Sequence, residues 1–164
     1  MVKTPQIILI DGPAGSGKTT LSKELQSEFN CQVVHLDDHY NGWDEALNSN
    51  LTDLLLEIVE NFLAGRATEA PTFNWQKGTF EGVRRIESGQ TLIIEGVGAG
   101  QGKIRSFATK LYWVEAGADI AFKRVLDRDG PELEAHIRAW QIREAEHFAV
   151  ERTRDFADFI IATT

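Results

Sequence analysis

Gly12-Pro13-Ala14-Gly15-Ser16-Gly17-Lys18-Thr19, followed by Thr20, satisfies the pattern Gly-x-x-x-x-Gly-Lys-[Ser/Thr] at every required place. It directly follows the apolar run Gln6 to Ile10. A strand that ends in a glycine-rich turn and opens into a helix aims successive backbone N–H groups at one concavity, the arrangement that receives a triphosphate. The residue types divide the work. Gly12, Ala14, Gly15, Ser16 and Gly17 bring backbone close to phosphate oxygens, and Lys18 sets a compact positive charge against the β and γ phosphates. Thr19, with Thr20 beside it, offers a hydroxyl to Mg²⁺. ATP and Mg²⁺ are the expected cofactors.

Moving a phosphoryl group requires a carboxylate that orients and deprotonates the accepting hydroxyl, together with charge that neutralises the transferring group. Asp37 in His35-Leu36-Asp37-Asp38-His39-Tyr40 and Glu95 after Leu92-Ile93-Ile94 are the candidates, both at ends of apolar runs. An acidic residue closing such a run calls for a partner or a cation. Arg124 and Arg128 stand four apart on one helix face that breaks at Gly130, so that a short lid around 124–135 can close over the phosphate. Tyr40, Phe73 and Trp75, with Trp43 nearby, present aromatic faces in loop-like segments, where a flat ligand stacks. His39 is expected to pack or face solvent, with a hydrogen bond to substrate as the other reading. With one cysteine and no His/Cys spacing for zinc, the only metal expected is the one carried with the nucleotide.

Elements must position these groups. Gln6 to Ile10, Gln32 to Leu36, Thr91 to Ile94, Lys110 to Val114 and Asp158 to Ala162 read as buried parallel strands. Helices are expected over Gly17 to Phe29, behind an Asn50 cap through Leu51, Leu55, Ile58 and Phe62, over Ala118 to Leu126, and from Pro131 to Val150. The alternation predicts one α/β domain over residues 1–164, a three-layer P-loop NTPase fold with a mostly parallel five-stranded sheet flanked by helices. Ligands of such sheets sit beyond the carboxyl ends of the strands. Gly96 to Gly102 misses the spacing of a dinucleotide-binding turn and reads as a flexible turn near the phosphates.

The net charge of −8 argues against nucleic acid as main partner. No apolar run is long enough to span a bilayer. Met1-Val2-Lys3-Thr4-Pro5 shows no signal-peptide core, and the lone Cys31 cannot form an internal disulfide, so a cytoplasmic setting is expected. A homo-oligomer stays open.

The GPAGSGKT loop, Asp37-Asp38-His39-Tyr40, Pro71-Thr72-Phe73-Asn74-Trp75, Ile94-Glu95-Gly96 and Lys123-Arg124-Val125-Leu126 together resemble the uridine kinase-like branch of the phosphate-loop kinases. That resemblance implies a small-molecule kinase acting on a hydroxyl of a nucleoside-like acceptor. Asp37 would then be the general base, Thr19, Glu95 and Asp37 would hold Mg²⁺ directly or through water, and Arg124 and Arg128 would belong to the lid. Asp37, Tyr40, Phe73, Trp75 and Glu95 would meet the acceptor. Phe73 and Asn74 stand where that family has tyrosine and aspartate, and Gln76-Lys77-Gly78 brings no histidine, so uridine itself is not implied. The other readings are a nucleotide-binding ATPase and a regulatory ATP-binding module with no acceptor. The guanine-reading NKxD and the LSGGQ signatures are absent from the sequence.

Overall fold

The computed structural model describes residues 3–164. The reading of the first five residues as free of a signal segment includes Met1 and Val2, which lie outside the described residues. In chain order the elements are β1 (Gln6–Asp11), α1 (Lys18–Phe29), β2 (Gln32–His35), a 3₁₀ turn (Leu36–Asp38), α2 (Ser49–Leu63), β3 (Thr68–Asn74), β4 (Thr79–Ile86) and β5 (Thr91–Glu95). There follow α3 (Gly102–Arg105), β6 (Lys110–Glu115), α4 (Ala118–Asp129), a 3₁₀ turn (Pro131–Leu133), α5 (Glu134–Glu151), α6 (Thr153–Phe156) and β7 (Phe159–Ala162).

Five strands pair in parallel in the order β2-β5-β1-β6-β7, which bears out the expected sheet. Strand alternation then builds two cores. Ile7 and Leu9 of β1 face one way, onto Leu55, Ile58 and Phe62 of α2 and Trp140 of α5. Ile8 and Ile10 face the other, onto Leu25 of α1 with Val33, Ile93 and Val114. A strand covered on both faces has no use for a polar face, which is why β1 and β5 read as continuous apolar runs.

Four expectations require correction. The cap of α2 is Asn48, whose side-chain oxygen accepts from the N–H groups of Asn50 and Leu51; Asn50 is the donor inside the helix. Pro131 starts a separate 3₁₀ turn, and α5 begins at Glu134. The Phe73 segment is not a loop: β3 and β4 form an antiparallel hairpin apart from the main sheet, with a register irregularity between Pro71 and Phe73. Its signal was hidden because β4 is exposed at every position before Ile86 and carries charge in place of an apolar face. Finally, β7 is largely exposed, as the edge strand of the sheet.

Candidate functional site

The loop is fixed by what it passes. At Gly12, with φ +145°, an added Cβ would lie 1.9 Å from the Val114 carbonyl oxygen. At Gly15, with φ +77°, it would lie 2.3 Å from the Ala121 oxygen. Only glycine can run this close to β6 and α4. The helix that leaves the loop has Gly17 at its cap, no side-chain cap bond and no acidic residue in its first turn. Its first N–H groups therefore have no intrahelical or capping partner and suit an anion. The Ser16 hydroxyl is buried without a partner, a further polar atom awaiting a ligand. The loop residues thus fit a bound phosphate chain, with Lys18, largely buried, donating from Nζ to the Pro13 carbonyl at 2.8 Å.

A cleft of about 810 Å³ opens over this loop. Of the loop residues expected to bind nucleotide, Ala14, Gly15, Gly17, Lys18, Thr19 and Thr20 line it, while Gly12 and Ser16 lie buried beneath. The same cleft brings in Asp37, Glu95, Arg124, Arg128, Tyr40 and Trp75, residues from four further stretches of chain. Phe73 does not line it. It stands behind Trp75, edge to face at 5.0 Å, and also meets Phe80 at 5.3 Å.

Asp37 is reached from solvent through the cleft but enclosed by protein on its other sides. That enclosure, with the nearby Glu95 charge, raises its pKa, and Lys18 and Arg128 oppose the rise. Glu95 is 5% exposed and its Oε1 is 2.6 Å from His35 Nδ1. This bond raises the His35 pKa. The acidic end of β5 is therefore partnered by a histidine as well as facing the cleft. No group of three or more His, Cys, Asp or Glu side chains able to hold a metal occurs among the described residues. Thr19, Asp37 and Glu95 offer a partial oxygen donor set of the type Mg²⁺ takes when phosphate supplies the remainder.

The two arginines differ. Arg124 Nη1 donates to the Gly15 carbonyl at 3.1 Å and to Thr163 Oγ1 at 2.9 Å, which makes it a strut of the loop and not a free hinge. Arg128 pairs with Asp129 at 2.7 Å, and its charge is felt by Asp37. His39 packs as expected, 4% exposed with Nδ1 2.6 Å from the Pro71 oxygen.

The far half of the cleft is aromatic and apolar: Tyr40, Trp43, Trp75, Trp140, Leu133 and Ile137. The Tyr40 hydroxyl donates to the Val97 carbonyl at 2.6 Å, so its ring, not its oxygen, is offered. Trp75 Nε1 donates to the Asp37 carbonyl at 2.9 Å, tying the hairpin to the turn that carries Asp37. Trp43 meets Trp75 at 5.5 Å and Trp140 at 6.2 Å, both edge-on, and stacks with His136 at 5.3 Å.

Two buried acids escaped the sequence reading. Asp11 ends β1 with no exposure, and accepts from the N–H groups of Gly12 (2.7 Å), Gly98 (3.2 Å) and Gly100 (2.8 Å). Burial pushes its pKa up to about 6 against these bonds. The Gly96 to Gly102 stretch is therefore a buried turn folded around a carboxylate, not a flexible one. The signal that singled out Glu95, an acid closing an apolar run, applied equally to Asp11. Glu144 occupies the stripe of Ile137 and Trp140 on α5, where an apolar residue is expected; it is 3% exposed. Its Oε2 accepts the Ala14 N–H at 2.9 Å, and burial pushes its pKa up to about 7.

A family model described as an AAA domain matches residues 8–148. Curated uridine kinases of Staphylococcus aureus strains JH9 and Newman are 28% identical over 183 aligned positions, which cover 98% of this chain and 88% of theirs. A solved structure described as a possible uridine kinase from Bacillus stearothermophilus superposes with a TM-score of 0.68 at 18% identity, over 98% of this chain and 90% of that one. Shikimate kinase from Acinetobacter baumannii, in complex with shikimate, superposes at 0.57 with 18% identity, over 98% of this chain and 85% of that one.

Proposed function

The chain belongs to the AAA domain family, and we propose that it is a small-molecule kinase, moving the γ-phosphate of ATP, with Mg²⁺, to a hydroxyl of a nucleoside-like acceptor. The observation that carries this is the meeting of Lys18, Thr19, Asp37, Glu95 and Arg128 on one cleft. The named relatives, uridine kinases among them, support the same chemistry.

MgATP supplies the transferable phosphoryl group and the divalent charge that offsets it; everything else falls to the chain. Lys18 and the loop N–H groups hold the phosphates, and Thr19 with Glu95 would hold the metal. Arg128, on the lid side, adds positive charge where negative charge accumulates. Asp37 takes the hydroxyl proton of the acceptor. Its raised pKa strengthens it as a base. Trp75, bonded to the Asp37 carbonyl, carries acceptor binding to the base.

The acceptor end favours a flat molecule without negative charge. The cations that line the cleft, Lys18, Arg124 and Arg128, sit on α1 and α4, whereas the far half offers rings; Asp38, which also lines the cleft, has Arg84 3.7 Å away. It presents no side-chain amide to read a base edge, so recognition rests on stacking and shape.

The test is ADP formation from MgATP with a panel of nucleosides, sugars, shikimate and D-glycerate, products identified by mass spectrometry, with Asp37→Asn alongside. A phosphorylated nucleoside-like product that falls roughly 10²- to 10⁴-fold in the variant, with nucleotide affinity kept, is expected. ADP without a phosphorylated acceptor would favour an ATPase, and preference for the carboxylate-bearing acceptors would overturn the acceptor class.

A further inference from the structure

One helix touches both ends of the cleft. Ile137 and Trp140 of α5 line the acceptor half. One turn further along the same stripe, Glu144 grips the Ala14 N–H of the phosphate loop at 2.9 Å. A surface glutamate would be unremarkable at a helix position, but this one is 3% exposed and faces two charged groups, Lys18 on α1 and Asp11 on β1, with the neutral Tyr40 hydroxyl near enough to feel its charge. Lys18 does not neutralise it by contact, since its ammonium donates to the Pro13 oxygen. A buried carboxylate therefore stands beneath the concavity that the phosphates enter, bonded to the backbone that forms it.

We propose that Glu144 is a positioning residue of the nucleotide site: it holds the Ala14 peptide in register while α5 carries the acceptor wall, and it takes up a proton from solvent when the phosphate charge arrives. The proposal rests on the reading of the loop as a nucleotide site. Either form of the side chain can hold the loop, because a protonated carboxyl still offers its carbonyl oxygen to the Ala14 N–H. What changes is charge. An ionised Glu144 repels the incoming polyanion, and a neutral one does not, so nucleotide binding and proton uptake are linked. Burial already pushes the pKa of Glu144 up to about 7, so a further rise on binding falls in the range where enzymes are assayed.

The test needs no acceptor and no turnover. MgADP is titrated calorimetrically into the full chain at pH 6.5, 7.5 and 8.5, in pairs of buffers with different heats of ionisation, for wild type, Glu144→Gln and Glu144→Ala. Wild type is expected to lose affinity as pH rises, by up to about tenfold if the bound form raises the pKa by a further unit, and to take up protons on binding. Protons released or bound by MgADP itself are common to all three proteins and cancel in the comparison. Glu144→Gln keeps an acceptor for Ala14 without the charge, so its affinity at pH 8.5 should exceed that of wild type and its proton uptake should be smaller. Glu144→Ala leaves the loop N–H unpartnered and should bind about tenfold more weakly than the glutamine variant. Proton uptake and pH dependence unchanged in Glu144→Gln would overturn the proposal, even if the alanine variant fails to fold. No binding of MgADP to wild type at any pH would bring down the nucleotide reading itself, and this proposal with it.

Discussion

Replacing Glu144 with glutamine should make stability of the nucleotide-free fold less dependent on pH, and the size of the effect follows from the burial. An acid whose folded pKa lies above its unfolded one binds protons more readily when folded, so it contributes most at low pH and its contribution fades as pH rises through the folded pKa. For Glu144 the rise from 4.5 to about 7 amounts to a penalty of about 3 kcal/mol when fully ionised, at about 1.4 kcal/mol per decade. Of this, about 2.5 kcal/mol is recovered between pH 8 and pH 5. The wild-type curve alone would mislead, because His39 and His147, whose pKa values burial lowers, act in the opposite sense as pH falls through the ordinary histidine range. Asp11, pushed up to about 6, acts in the same sense as Glu144 at lower pH. Those groups are common to both proteins. Urea unfolding of wild type and Glu144→Gln at pH 8, 7, 6 and 5 therefore isolates the one carboxyl: the variant should gain on wild type at pH 8 relative to pH 5 by about 2 to 3 kcal/mol. A stability difference that stays constant over this range would refute the reasoning, since it would mean that Glu144 does not titrate with folding.

Lys18→Ala should nearly abolish nucleotide affinity, because the main positive charge of the loop is gone; undiminished MgADP binding by calorimetry would remove the loop from the site. Gly15→Ala should destabilise the fold by at least ~2 kcal/mol in denaturant unfolding, since the residue has φ +77° and the new methyl carbon would stand 2.3 Å from the Ala121 oxygen, and a neutral result would mean that the loop can move away from α4.

How much of this was legible follows from where the information lies. The phosphate loop was readable because its demands are local: glycine backbone, one lysine and one hydroxyl in consecutive positions. The five parallel strands were readable because both faces are covered, which leaves apolar runs such as Ile7 to Ile10 and Leu92 to Ile94. The β3–β4 hairpin gave no such run, since Thr79 to Arg85 face solvent. Asp37, Glu95, Tyr40 and Trp75 were expected at the site and do line the cleft, whereas Phe73 packs behind Trp75 and against Phe80, contacts that only the hairpin creates. Asp11 closes an apolar run as Glu95 does, but what holds it, like what holds Glu144, stayed hidden for another reason. Their partners, Ala14 and Gly98 with Gly100, are backbone N–H groups, which leave no trace in residue type, and they lie 130 and 87 to 89 positions away. Trp140 was recognised as part of a helix stripe, but not as a cleft wall, because only the folded chain sets α5 beside Trp43.

The Thr163 hydroxyl donates to the Ser16 carbonyl at 2.5 Å across 147 positions of sequence, and the same oxygen receives Arg124, the strut of Gly15. The nucleotide loop emerges early from the ribosome but is braced by a strand that emerges nearly a whole domain later. A nascent chain can thus form the motif long before it can form the site. Closing so distant a contact comes late in folding, after the intervening sheet is in place. A chain cut before β7 would carry the motif without its Thr163 brace.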